Sequence, residues 1–232
     1  MALPKITSPT FSVELPSNKR KIKFHPFTVK EEKMLLMAVE SNDTDSVSST
    51  IKQVMNNCLV DELDIDELAT FDLEYLFLQL RAKSVDNIIE LKIKDDDDEN
   101  MYEATVNLDD AFVDFSKSHT NKIQLNDTVC ITMKYPTFNT ISKMSDDNIK
   151  NDLVEIVSTS IDKVVDGDEL YELTDFSKEE IASFIESFTS KNMREIEKFF
   201  KTMPKLKLDV KYNANGKEKT KEVVGLQSFF TS

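Results

Sequence analysis

A chain of 232 residues with 40% apolar side chains is long enough to bury a substantial core, in one elaborated domain or two small ones. Forty-three Asp and Glu against 29 Lys and Arg leave a net charge of −14, which repels nucleic-acid phosphate and anionic membrane, so neither is an expected partner. Three glycines leave little room for phosphate cradles, and no G-x-G-x-x-G or P-loop string occurs, which argues against nucleotide enzymes.

The segment Thr10 to Phe27 (TFSVELPSNKRKIKFHPF) alternates on both sides of Pro16, Ser17 and Asn18, predicting a β-hairpin with a basic tip at Lys19, Arg20 and Lys21. Thr28 and Glu31 make a T-x-x-E capping box that opens a helix through MLLMAVE. A second helix is expected along the stripe Val47, Ile51, Val54, Met55 and Cys58. Acidic turn residues from Asp61 to Asp66 precede a third, FDLEYLFLQLRAKSV (Phe71 to Val85). Its residues Leu73, Leu76, Phe77 and Leu80 predict a buried face, with Glu74, Gln79, Arg81 and Lys83 largely opposite. The period then becomes two: Ile89, Leu91 and Ile93 alternate with polar neighbours, and MYEATVNL repeats the pattern beyond DDDDEN, a second hairpin. A further strand runs from Asp127 to Tyr135 and stops at Pro136, which lacks the ladder donor.

Helical spacing returns at Ile149, Leu153, Ile156, Val157, Ile161 and Val164, predicting one helix that ends near Gly167. Ser177 and Glu180 form another capping box before Ile181, Phe184, Ile185 and Phe188, and Met193, Ile196, Phe199 and Phe200 follow. KLKLDVKY, an Asn215-Gly216 turn and KEKTKEVV close the chain with a lysine-rich hairpin. The expected fold is α+β, with N- and C-terminal β-hairpins, a central antiparallel β region and two helical groups. Its segments are 1–84 (hairpin and helices), 85–136 (central β region) and 137–232 (helices and hairpin), which can pack as one compact unit.

Chemistry-bearing patterns are sparse. Asp95 to Asp98 with Glu99 offer carboxylates, but the alternating acids, central glycine and distant Glu of a calcium loop are missing, so a solvated loop is expected. Asp166, Asp168 and Glu169 around Gly167 read the same way. His25 at a strand end and His119 in a polar loop have no G-x-S-x-G or H-E-x-x-H context. Cys58 and Cys130 stand apart with no metal-ligand spacing, consistent with a reducing cytosol, and Cys58 reads as a small core residue. No signal segment or membrane span is expected, and no catalytic residue, cofactor or metal.

Candidate partner-binding residues are the tip cations Lys19, Arg20 and Lys21, the helix-terminal Arg81 and Lys83, and the tail aromatics Phe229 and Phe230. Each has a structural alternative. Lysines on exposed edges block unwanted pairing, as along Lys205 to Lys221; cations at a helix C-terminus complement its dipole; the Phe pair can fold back into the core.

The strings PF-x-VKEEK-x-LLMA (Pro26 to Ala38) and FDLEY-x-FLQLRAKSV (Phe71 to Val85), with ITMKYPTF (Ile131 to Phe138), resemble the baseplate hub family of T-even-type contractile-tailed phages. The resemblance covers nearly the whole chain, the last third only in general character. It implies a non-enzymatic phage protein that builds the central hub through protein contacts, as a retained subunit or an assembly chaperone. Its partners would be other hub or tail proteins, including further copies of itself. It would act in the host cytoplasm during tail assembly or in the finished baseplate. Relatives carry a cysteine-bearing, zinc-type knuckle near the DDDDEN position; no cysteine stands there in this chain. A different class remains open from the charge alone, an acidic phage protein that mimics DNA to inhibit a host enzyme.

Overall fold

The structure, a computed structural model, describes residues 6–41, 43–137, 140 and 149–225. The fold is α+β, with six helices and eleven strands in small antiparallel sheets among the described residues. Two compact units are present, one from Met1–Asp114 with Lys205–Ser232 and one from Phe115–Pro204. Their edges fall at 114/115 and 204/205, whereas chain order suggested segments meeting at 84/85 and 136/137. The grouping arises because the C-terminal hairpin pairs with a strand from the first half of the chain.

The first unit opens with β1 (Phe11–Glu14) and β2 (Lys21–Phe24), paired antiparallel from Phe11↔Phe24 to Glu14↔Lys21. Leu15, Ile22 and Phe24 are buried, each contributing roughly 2 kcal/mol of apolar transfer. At the tip Lys19 takes φ +60, and the backbone closes through Leu15 N–H to Arg20 C=O at 2.9 Å. The expected capping box at Thr28 and Glu31 starts α1 (Val29–Glu40). Next come α2 (Thr44–Cys58) and α3 (Thr70–Ser84). The chain leaving α2 runs beside β2, with His25 N–H donating to Cys58 C=O at 2.8 Å and Val60 N–H to Lys23 C=O at 2.9 Å.

The α3 helix corrects the expectation of one apolar face. Phe71, Asp72, Leu73, Leu76, Phe77, Leu78, Leu80 and Ala82 are all buried, and only Lys83 is exposed, so the helix is enclosed on most sides. Burial of Asp72 is offset locally: Ser17 N–H donates to Oδ1 at 3.0 Å and the Ser17 hydroxyl donates to Oδ2. The hairpin turn around Ser17 is thereby tied to α3. Desolvation nevertheless pushes the Asp72 carboxyl above its ordinary range, against the two bonds from Ser17.

β3 (Ile88–Lys94) and β4 (Met101–Asn107) form the expected second hairpin. β5 (Phe112–Asp114), absent from the sequence reading, pairs with β10 (Lys205–Ala214), which pairs on its other side with β11 (Lys217–Val224). β4 packs against β10, and the rings of Tyr102 and Tyr212 lie 6.0 Å apart between the two sheets. The Asn215-Gly216 turn is as expected, with φ +53 and +81, the left-handed pair that a two-residue hairpin needs.

The second unit is a four-stranded sheet in the order β6 (Lys122–Gln124), β7 (Val129–Met133), β8 (Ile161–Asp166), β9 (Glu169–Glu172). It is accompanied by α4 (Ile149–Ser160), α5 (Lys178–Glu186) and α6 (Ser190–Thr202). Here the long helix expected to run from Ile149 to near Gly167 is overturned: it stops at Ser160, and Ile161–Asp166 is a strand. Ile161, Val164 and Val165 are β-branched and gain a partner in β7, while Gly167 turns the chain into β9 instead of ending a helix. Side chains of Ile149 and Leu153 lie outside the described residues. The expected Ser177/Glu180 capping box starts α5; an unforeseen one, Thr189 with Asn192, starts α6. Ile123, Ile131, Met133, Val157, Ile161, Val164, Ile185, Ile196 and Phe199 make the core of this unit.

Candidate functional site

The acidic loop between β3 and β4 is exposed from Asp96 to Asn100, as its charge suggested, and departs from that expectation at Asp95. Asp95 is 1% exposed, its two oxygens facing the C-terminal hairpin. Lys219 Nζ donates to Oδ1 at 3.0 Å and to Oδ2 at 2.7 Å, and Tyr212 hydroxyl donates to Oδ2 at 2.8 Å. The backbone N–H groups of Asp97 and Asp98 complete the shell at 2.8 and 3.2 Å. Lys219 also reaches Asp97 at 2.7 Å, and Lys221 donates to Asp96 at 2.5 Å and to Lys94 C=O at 2.6 Å. Asp98 accepts from Tyr102 hydroxyl at 2.6 Å and from Asn215 Nδ2 at 3.0 Å.

Charge and hydrogen bonding act together here. The Lys219 and Tyr212 donors hold the Asp95 carboxyl well below the usual carboxylate range. In return the carboxylate raises Lys219 and pushes the Tyr212 hydroxyl up to about 12. Two ammonium groups occupy the positions a cation would take, and among the described residues no three His, Cys, Asp or Glu stand together as metal ligands. The acidic loop and the lysine hairpin are complementary halves of one internal clasp.

The other candidates separate by exposure. Lys19, Arg20 and Lys21 are all exposed on the first hairpin, Arg20 also donating from Nη2 to Glu62 C=O at 2.8 Å. Lys83 is paired with Asp109 at 2.9 Å. Arg81 is half-buried, with Nη1 enclosed and unbonded and with Glu32 and Asp86 nearby; desolvation lowers its pKa from the ordinary arginine value. Phe229 and Phe230 lie outside the described residues.

A depression lined by His25, Thr28, Glu31 and Cys58 brings a histidine and a thiol together, yet burial and the Glu31 charge push the thiol up to about 11. An activated nucleophile needs the opposite shift. His119 lies in a polar loop as expected, but it is half-buried: its ring packs against Tyr135 and Phe199, with centroids at 5.6 and 5.1 Å. Its Nδ1 lies 3.0 Å from Thr202 Oγ1, and burial lowers its pKa. Thr202 hydroxyl already donates to Lys198 C=O, which assigns the proton to Nδ1.

One surface was missed by sequence reasoning. The run MLLMAV in α1 buries only Ala38, while Leu36 and Met37 are 59% and 61% exposed and Val29 and Val39 are exposed beside them. The signal was available, since six consecutive apolar residues are too many for one helix face.

The chain is thus an acidic α+β protein with an ion-paired acidic loop, exposed cations at its first hairpin and exposed apolar side chains on α1. The family model described as T4 bacteriophage base plate protein matches residues 8–231, and the chain belongs to that family. Comparison with curated proteins and with solved structures gives no match.

Proposed function

We propose that this chain is a baseplate hub protein that acts in hub assembly through protein contacts and without catalysis. The observation that carries the reading is the family match across residues 8–231, joined to the hub-type strings at Pro26 to Ala38 and Phe71 to Val85. Exposed Leu36 and Met37 on α1 and the cations Lys19 and Lys21 are the contact groups best placed to meet other hub or tail proteins, with Phe229 and Phe230 as further anchors. Arg81 and Lys83 near the end of α3 are further candidates for contact with an acidic neighbour, Lys83 being also paired with Asp109.

The net charge of −14 favours a factor that binds hub intermediates and leaves, acting in the host cytoplasm, over a permanently buried subunit. A DNA mimic would need free carboxylates ranked along one face, and Asp95, Asp96 and Asp97 are instead held by Lys219 and Lys221. The test is quantitative mass spectrometry of purified tails beside unassembled hub intermediates. Presence in intermediates alone supports the assembly factor, and stoichiometric presence in both makes it a hub subunit. Absence from both removes the hub reading.

A further inference from the structure

The sheet of the second unit ends, on one side, in β9, whose outer edge pairs with no strand among the described residues. Gly167 and Asp168 form a two-residue turn, so Asp166↔Glu169 and Val164↔Tyr171 are the hydrogen-bonded pairs of the β8–β9 ladder. Leu170 and Glu172 therefore aim their N–H and C=O groups away from the sheet. The opposite side of β8 agrees with this phase, because Gly167 N–H donates to Thr128 C=O at 3.1 Å. The Glu172 C=O is taken up as the N-cap acceptor of the 3-10 turn Leu173–Asp175, which leaves the N–H and C=O of Leu170 and the N–H of Glu172 without a backbone partner among the described residues.

Open edges are usually blunted, most often by lysine, proline or a bulge. The other edges with that protection are visible in this chain: β6 carries Lys122, and β11 carries Lys217, Lys219 and Lys221. β9 reads ELYE and has no lysine, no proline and no bulge in its pairing. From 166 to 175 the chain holds five acids, Asp166, Asp168, Glu169, Glu172 and Asp175, all exposed, and no Lys or Arg. Between them Leu170 is 58% exposed, and Phe176, 41% exposed, lies 6.2 Å from the ring of Tyr171.

We propose that the outer edge of β9 is a docking site for an extended, lysine- or arginine-rich segment of another protein, which adds as a fifth strand to this sheet. Outward backbone groups supply the register, flanking carboxylates select cations, and the apolar side chains on one face of the new strand lie beside Leu170 or Tyr171. A second copy is disfavoured as occupant, because its own net charge is −14 and Lys219 and Lys221 of its β11 are engaged with its acidic loop. The inference rests on the assembly reading and gives it a partner class.

The test uses the full chain and residue-resolved amide exchange with three six-residue probes of alternating sequence: Lys-Val, Glu-Val and Lys-Pro. Severalfold slower exchange at Leu170 and Glu172 with the Lys-Val peptide, and not with the other two, supports strand addition. Equal slowing by Glu-Val overturns it as unspecific stickiness, and equal slowing by Lys-Pro overturns it as charge attraction without pairing. Protection that grows with protein concentration and no peptide replaces the partner by a second copy; no protection at all ends the proposal. Leu170→Pro removes an outward donor and no ladder bond, so it should abolish protection at Glu172 while leaving the melting temperature within a few degrees. Glu169→Lys with Glu172→Lys should weaken the peptide at least tenfold and covers the case in which the proline variant fails to fold. Failure of these probes leaves the mass-spectrometric result on hub association untouched, so the two readings fall separately.

Discussion

Asp95 shows how one residue can reverse the meaning of a charge run. As a member of DDDDE it reads as solvent-facing, yet it is buried and receives Lys219, Tyr212 and two backbone donors. Its folded pKa lies below the unfolded value near 3.9, so the clasp stabilises the fold above about pH 4 and loses that contribution as pH falls towards the depressed value. Lys219 and Tyr212 are shifted upward, so their contributions are complete below about pH 10 and are lost as pH rises further. Asp95→Asn should therefore lower the urea midpoint between pH 5 and 9, with the gap to the wild type narrowing progressively as pH falls below about 4. A gap that is constant with pH would mean that packing, not charge, holds this loop. None of this was legible in the sequence, because the carboxylate and its ammonium partner are separated by more than 120 residues.

At the scale of elements, local signals were dependable where the stabilising groups are neighbours in the chain. The T-x-x-E box at Thr28 and the S-x-x-E box at Ser177 are both formed, each satisfying helix N-terminal donors within three residues. Thr28→Ala should cost about 1 kcal/mol in equilibrium unfolding. The Asn215-Gly216 turn is also local: Gly216 sits at φ +81 with open space where a Cβ would stand, so Gly216→Ala tests backbone strain without a clash. A loss of about 1–2 kcal/mol is expected, and Gly216→Asn should recover part of it. Where two periodicities overlap, the local reading failed. Ile161 and Val164 fit a helical stripe as well as a strand, and the pairing with β7 decided for the strand.

For the molecule as a whole, the arrangement of units is an insertion. Asp114 and Lys205 face each other in the β5–β10 pair, and everything between them forms the second unit. The ends of the insertion are therefore held together by the first unit's own sheet, where a short connection can replace it. Joining Asp114 to Lys205 through a turn of two to four residues should leave a protein that melts cooperatively. It should also retain slow amide exchange in β10, detectable by NMR. A molten product would show that the first unit needs the inserted one to fold.

The α+β class, the terminal hairpins, two helix caps and the family strings were determined by the sequence, since each depends on residues a few positions apart and on the period of burial. Tertiary structure alone decided the enclosure of α3, the strand at Ile161–Asp166, the placing of β10 between β5 and β11, and the fate of the acidic loop. These depend on which distant segment supplies the missing hydrogen bond, apolar contact or opposite charge, and a single chain read in order carries no such pairing information.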